Sequence, residues 1–90
     1  MTQLLCRNRV RDFNHWHRIF TANLPAARAA GLVLAQLWQQ TEDPNNAFFL
    51  FEVEDLARAQ AFLHAPEAAA KGAESGVIDG EYHFLANVLS

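Results

Sequence analysis

The chain has 90 residues, of which 51% are hydrophobic and 19% charged, and its formal net charge is −3. This length is enough for one domain, and we expect residues 1–90 to form a single domain. The hydrophobic content excludes an intrinsically disordered chain. Its apolar runs are shorter than the roughly 18–20 residues that span a bilayer. The N-terminus lacks the apolar core of a signal peptide, so a cytoplasmic location is expected.

Charge is distributed unevenly along the chain. Residues 1–40 carry five arginines and one acid, whereas residues 41–90 carry two cations and nine acids. Nucleic-acid binders gather an excess of positive charge on one face, so the acidic total predicts no nucleic-acid partner. Opposite charges in the two halves suit self-association, and ordinary solvated faces explain them equally well. Cys6 is the single cysteine, which excludes an internal disulfide and favours the role of a small buried hydrophobe.

The first half of the chain predicts a strand, a helix and a second strand. Residues 4–10 have the composition of a strand, and Asp12 can cap a helix. Pro25 predicts that this helix breaks or restarts, with a further turn over residues 26–30 that ends at Gly31. Residues 32–40 are predicted as the second strand. At 100° per residue, one helix face holds six side chains, Phe13, Trp16, His17, Phe20, Leu24 and Ala27.

The second half predicts a strand, two helical segments and a last strand. Residues 41–46 are rich in Asp, Asn and Pro and predict a turn before a strand over residues 47–54. Asp55 caps a helix, and a second, alanine-rich segment follows over residues 67–74 and ends at Gly76. The last strand is predicted over residues 77–89, with Gly80 as a bend or bulge.

This order, βαββαβ, predicts an α+β protein with the ferredoxin-like plan, a four-stranded antiparallel sheet with helices on one face. The second face of such a sheet normally shows polar residues at alternate positions. The run Phe48 to Phe51 is apolar throughout, so we expect both faces of that strand to be buried. In a short chain a second copy is needed to cover the open face, which predicts a homodimer.

Three stretches of the chain resemble the dimeric α+β barrel superfamily, in particular its small uncharacterised members that are like the antibiotic-biosynthesis monooxygenases. The resemblance implies the dimeric α+β barrel fold, and it covers nearly the whole chain. It does not specify an activity, because the superfamily includes monooxygenases, haem-handling enzymes, isomerase-like members and proteins of no known function. The stretches are Val10-Arg11-Asp12-Phe13 with Trp16 and Phe20, Asp43-Pro44-Asn45-Asn46 leading into residues 48–53, and Gly76-Val77-Ile78-Asp79-Gly80 before Tyr82 and Phe84.

Haem-degrading members of the superfamily resemble this chain at Asn8-Arg9, where an asparagine of the first strand contacts the substrate. The resemblance therefore implies a ligand contact for Asn8. Those members also carry a tryptophan and a haem-ligating histidine on the helices after the third strand. Here this region has no tryptophan, and His64 precedes its second helical segment, so haem oxygenation is not predicted.

Two residues are candidates for catalysis. His17 is expected on the inward face of the first helix and has a side chain that titrates near neutral pH. Glu52 lies on a strand expected to be central, where a carboxylate must be paired or face a cavity. The alternatives are a histidine at the core edge bonded to backbone, and a structural ion pair between Glu52 and Arg7 or Arg9.

Five further residues are candidates for binding a ligand. Trp38 and Tyr82 are expected on strands and could line a cleft, although both types are more often core or interface residues. Glu81 and His83 share one face of the last strand, where a solvated pair is expected. Candidate ligand contacts are Arg7, Asn8, Trp16, Trp38 and Tyr82.

No cofactor or metal is predicted, because the chain has no usual metal-ligand spacing, no glycine-rich phosphate loop and no nucleophile motif. The leading functional hypothesis is a homodimer that binds a small, partly aromatic organic molecule in a cleft between sheet and helices. One alternative is a cofactor-independent monooxygenase or isomerase that abstracts a proton in a dry pocket. Another is a structural dimer without a ligand.

Overall fold

The computed structural model describes residues 2–89. The strands form one sheet in the order β2-β3-β1-β4, with every neighbouring pair antiparallel. This confirms the predicted ferredoxin-like architecture. No helix within residues 2–89 is both long and apolar enough to cross a membrane. In chain order the elements are β1 (Thr2–Val10), α1 (Phe13–Ala29), β2 (Leu32–Gln39), β3 (Asn46–Val53), α2 (Leu56–His64), α3 (Pro66–Ser75) and β4 (Val77–Ala86).

The helix ends lie where capping chemistry predicts them. Asp12 accepts a hydrogen bond from the Asn14 amide at 3.0 Å, and Asp55 accepts one from the Arg58 amide at 3.1 Å. Gly76 follows α3 with a φ of 81°, the left-handed conformation that favours glycine at a helix C-terminus. These local signals explain why the sequence predicts the element boundaries to within a few residues.

Pro25 does not break the first helix, contrary to the sequence-based prediction. Helix α1 runs unbroken from Phe13 to Ala29 with Pro25 inside it. Leu24 and Ala27, on either side of the proline, pack against the same core, while Pro25 itself is exposed. Packing on both sides therefore outweighs the hydrogen bond that the proline ring removes.

The two faces of the sheet differ in their covering. On the face that the helices cover, Leu4 and Phe51 are cross-strand partners and are 0% and 6% exposed. On the opposite face, called the open face below, Leu5 pairs with Leu50 and Arg7 with Phe48, and all four are half-buried. The prediction that β3 is buried on both faces thus holds within this chain for the helix-covered face alone.

Strand β4 is shorter than predicted and contains an irregularity. It ends at Ala86, whereas Val88 is 92% exposed beyond the strand. The β1–β4 register shifts so that Arg9 faces Asp79 while Val10 faces Val77. Ile78 is the extra residue, so the bulge lies two positions before the predicted Gly80, and Gly80 pairs with Asn8.

Candidate functional site

A cavity of about 240 Å³ lies between the helix-covered face of the sheet and the three helices. An enclosed apolar cavity of about 150 Å³ is large enough for benzene, so this one has room for a larger aromatic molecule. All four strands and all three helices contribute residues to its wall. Those lining it are Cys6, Asn8, Trp16, Ile19, Phe20, Asn23, Leu24, Ala27, Leu32, Phe49, Phe51, Phe62, Leu63, Ala68, Lys71, Gly72, Ser75, Val77, Gly80, Glu81 and Tyr82.

One wall of the cavity is an aromatic cluster. The rings of Trp16 and Phe20 stack with centroids 4.6 Å apart and an interplanar angle of 22°. Phe49 meets Phe20 at 4.9 Å and Phe51 edge-on at 5.7 Å. Ring faces and edges of this kind favour an aromatic ligand over an aliphatic one of equal size.

Helix α3 contributes Lys71 and three small residues to the cavity wall. Ala68, Gly72 and Ser75 are spaced by four and three positions, which places them on one face of the helix. A Cβ atom at Gly72 would have no neighbour within 4 Å. The cavity therefore exists because these three side chains do not fill it.

Three polar side chains in the cavity wall are free to bind a ligand. Within residues 2–89, Asn8 of β1, Asn23 of α1 and Tyr82 of β4 line the cavity, and none of these three side chains makes a hydrogen bond. Asn8 and Asn23 are half-buried and Tyr82 is exposed, so water can satisfy all three side chains when no ligand is bound. Asn8 and Tyr82 were candidates from the sequence, as was Trp16, which is 2% exposed.

Asn23 also lines the cavity and is not among the residues predicted from the sequence. It lies three residues after Phe20 and four before Ala27, at the polar edge of the inward helical face, so helical spacing gives the signal that identifies it. The expected hydrophobic role of Cys6 is confirmed, because the thiol is 6% exposed. Burial raises the pKa of Cys6 to about 12, which keeps it protonated.

His17 lies outside the cavity, and its predicted inward orientation is wrong. Its side chain is exposed, and its ring stacks on Phe13 with centroids 5.5 Å apart. One residue along a helix is a rotation of about 100°, which moves His17 from the direction of Trp16 to the edge of the apolar stripe. His17 therefore does not touch the space in which a ligand would lie.

Glu52 and Arg7 also lie away from the cavity, on the open face. Glu52 is exposed, and the register places Gln3, not an arginine, opposite it. Arg7 instead donates to Glu81 at 2.9 Å and to Asp79 at 3.1 Å. The expected ion pair between Glu52 and Arg7 is therefore wrong, because four residues along β1 separate the two positions.

The arginines of β1 form a network with β4. Asp79 accepts hydrogen bonds from Arg9 and Arg7. Both lower the pKa of its carboxyl, and Arg9 lowers it more than Arg7 does. The pKa of Glu81 is lowered first by His83, 3.0 Å away, and then by Arg7. The sequence-based expectation of an exposed Glu81–His83 pair on an edge strand is confirmed.

Trp38, the last candidate, lies on the open face. It faces Phe48 across the β2–β3 pair and is 45% exposed. The two tryptophans therefore lie on opposite faces of the sheet, Trp16 in the cavity and Trp38 away from it. Among residues 2–89, no three His, Cys, Asp or Glu side chains are close enough together to hold a metal ion.

The arrangement is suited to binding. It offers an apolar, aromatic space with two amides, a phenol and the Lys71 ammonium at its walls. Glu81 also contributes to the wall, but its carboxylate is held by Arg7 and His83. Neither His17 nor Glu52, the two predicted catalytic residues, is among the residues that line the described cavity, so neither is placed to act on a molecule bound there.

Comparison with known proteins identifies the fold. No family model matches the chain, and no curated protein matches it. Solved structures do match. An antibiotic biosynthesis monooxygenase is 17% identical, with a TM-score of 0.71 over 98% of this chain and 99% of that one. The cofactor-independent oxygenase SnoaB from Streptomyces nogalater, solved as a mutant, is 12% identical with a TM-score of 0.77 over 99% and 94%.

A third match is an uncharacterized NIPSNAP domain protein from Burkholderia xenovorans, 15% identical with a TM-score of 0.70 over 99% of this chain and 96% of that one. At these identities the matches establish a shared fold over the whole length. They confirm the resemblance that Phe48–Val53 and the flanking stretches predicted. The chain has the fold of the antibiotic biosynthesis monooxygenase-like proteins.

Proposed function

We propose that this protein is a homodimer in which each subunit binds a small, partly aromatic organic molecule in the cavity between sheet and helices. The observation that carries the proposal is the combination of an unfilled aromatic cavity with three unpaired polar side chains, Asn8, Asn23 and Tyr82. A few polar groups in a mostly apolar pocket are typical of small-molecule sites, where they fix the orientation of the ligand.

The dimer is proposed from the open face. Leu5, Trp38, Phe48 and Leu50 place apolar side chains there, on the side of the sheet that no helix covers. The arginine–carboxylate network occupies the β1–β4 half of the same face. A second copy would cover the apolar half of the open face. Because an isologous interface brings the same surface of both subunits together, the charged half, which carries groups of both signs, can pair with its own copy.

Binding is tested with 2-naphthol, whose two rings and single hydroxyl match the walls of the cavity. Calorimetric titration should show one binding site per chain. Thermal unfolding in the presence of 2-naphthol should show a rise in the melting temperature. Gly72→Leu places a side chain in the open space beside the helix and should abolish binding, whereas Gly72→Ala, the matched control, should retain it. Equal binding by wild type and Gly72→Leu would place the ligand elsewhere and overturn the proposal.

Absence of binding by a panel of one- and two-ring aromatics would favour the structural dimer instead. Oligomeric state is measured separately, by native mass spectrometry of the purified protein. A species of twice 10.1 kDa supports the dimer, and any additional mass identifies a molecule retained from expression.

A second candidate function is cofactor-independent monooxygenation of an activated phenol. It is favoured by the fold shared with SnoaB, a cofactor-independent oxygenase. In this chain the groups available to orient such a substrate are Asn8, Asn23 and Tyr82, and not His17 or Glu52. Oxygen uptake with dihydroxynaphthalenes tests it, and uptake that persists in Gly72→Leu would exclude the cavity as its site.

A further inference from the structure

The charge at the cavity wall identifies a chemical class of ligand. Lys71 of α3 and Glu81 of β4 are the two residues with ionised side chains among those that line the described cavity. The Glu81 carboxylate accepts from Arg7 Nε at 2.9 Å and lies 3.0 Å from His83 Nε2, so its charge is already matched on the open face. The ionised group in the wall that no partner from another element holds is therefore the Lys71 ammonium, which is positive.

Lys71 is available for a ligand. Its ammonium has three donors, and the contact it makes within residues 2–89 is with Glu74 Oε2 at 3.3 Å on the same helix. The two side chains are 49% and 57% exposed, which makes the pair weak. A ligand anion in the cavity would replace or share this long contact and gain a charge-assisted hydrogen bond.

The neighbouring polar groups fit the same chemistry. Asn8 and Asn23 offer amide N–H donors and Tyr82 a phenolic O–H, and none of them is committed to a protein partner. The aromatic wall of Trp16 and Phe20 takes the apolar body of the molecule. Donors and one cation around an aromatic space favour a ligand that accepts hydrogen bonds and carries negative charge.

We propose that the ligand is an aromatic acid, whose rings lie against Trp16 and Phe20 and whose ionised acidic group contacts Lys71. This inference rests on the proposed binding function and adds to it the charge of the ligand and the residue that selects it. No covalent step is involved, and the preference is for the ionised acid over its neutral isostere.

The test compares 2-naphthoate with the neutral isostere 2-naphthamide by calorimetric titration at pH 7. Wild type should bind 2-naphthoate more tightly. Lys71→Met should lower the affinity for 2-naphthoate about fivefold, the effect of losing one half-exposed charge pair. The affinity for 2-naphthamide should not change. Lys71→Arg keeps the positive charge and should retain the preference for 2-naphthoate over 2-naphthamide. Glu74→Gln removes the carboxylate that competes for Lys71 and should raise the affinity for 2-naphthoate.

The outcomes separate this inference from the function on which it rests. Binding of both compounds that Gly72→Leu abolishes would show that the cavity binds ligands. If Lys71→Met then lowers the affinity for 2-naphthoate and for 2-naphthamide equally, or lowers neither, the proposed preference for an acid is wrong. Opposite effects of Lys71→Met and Glu74→Gln support the inference, since loss of helix stability would act in one direction. Failure of both compounds to bind wild type overturns the inference together with the binding function.

Discussion

Gly80 leaves the space in which the Asn8 side chain lies. The two residues are cross-strand partners on β4 and β1, and a Cβ atom at position 80 would lie 2.6 Å from Asn8 Oδ1 and 2.8 Å from the Arg7 carbonyl oxygen. Both distances are shorter than real Cβ atoms adopt. The glycine therefore permits the position that the Asn8 side chain takes in the cavity wall, whereas the bulge in β4 is formed by Ile78.

Gly80→Ala should destabilise the fold by about 1–3 kcal/mol and weaken ligand binding, because a methyl group there displaces Asn8 and presses on backbone. Chemical denaturation and titration with 2-naphthol measure the two effects. In a double-mutant cycle, Asn8→Ala should relieve part of the stability loss, since it removes the closer of the two contacts. Strict additivity of the two substitutions would show that the side chains do not interact.

Much of this fold can be predicted from local sequence signals. The caps at Asp12 and Asp55 and the glycine at residue 76 mark element ends through their own hydrogen bonds and backbone angles. The helix through Pro25 cannot be predicted in this way, because its continuity depends on how Leu24 and Ala27 pack against distant strands. Local patterns identify elements, whereas tertiary packing decides where two of them merge.

The site is predicted less completely, for a physical reason. Asn8, Trp16 and Tyr82 line the cavity, whereas Arg7 and Trp38 lie on the opposite face of the sheet. Strand positions alternate between faces, so one residue of uncertainty in register exchanges the two sides. The sequence has no means of fixing that register, which here depends on the β1–β3 and β1–β4 pairings.

His17→Ala and Glu52→Gln should leave ligand affinity within twofold of wild type. Both side chains are exposed and neither lines the cavity, so neither substitution changes the walls. Asn8→Ala is the positive control and should weaken 2-naphthol in the same titration, by about 0.5–1.5 kcal/mol for one lost hydrogen bond. A large loss in either variant with intact folding would mean that ligand reaches the outer end of α1 or the open face.

Trp38→Glu should convert the proposed dimer into a monomer. Trp38 is 45% exposed and lies on the open face next to Phe48, so the substitution would bury a charge in the interface. Sedimentation at micromolar concentration measures the change. Ala22→Glu, which adds the same charge on the exposed side of α1, should remain dimeric. A wild-type protein that sediments as a monomer would overturn the proposed homodimer.

Arg7→Met should lower stability at pH 7 and have a smaller effect at pH 2.5. Arg9 lowers the pKa of Asp79 most and His83 lowers the pKa of Glu81 most, and Arg7 contributes to lowering both. A lowered pKa in the folded state gives stability that is present above the unfolded pKa of about 4 and is lost as the pH falls through the folded value. The difference between variant and wild type should therefore shrink in acid.

Chemical denaturation at the two pH values gives the comparison for Arg7→Met, with Arg18→Met as control. Arg18 is exposed on α1 and makes no ion pair among residues 2–89, so its substitution should have an effect that does not depend on pH. A pH-independent loss in Arg7→Met would assign the role of Arg7 to packing and its bond to Asn46 rather than to the two carboxylates.

Cys6 should react with iodoacetamide at a rate set by opening of the fold. Burial raises its pKa to about 12, which makes the thiolate, the reacting nucleophile, scarce at pH 8. The thiol also faces the cavity, where a bound aromatic would cover it. Labelling followed by mass spectrometry should be slow in the native protein, fast in denaturant, and slower still with saturating 2-naphthol. Fast native labelling that 2-naphthol leaves unchanged would show that reagent reaches Cys6 by a path other than the ligand cavity.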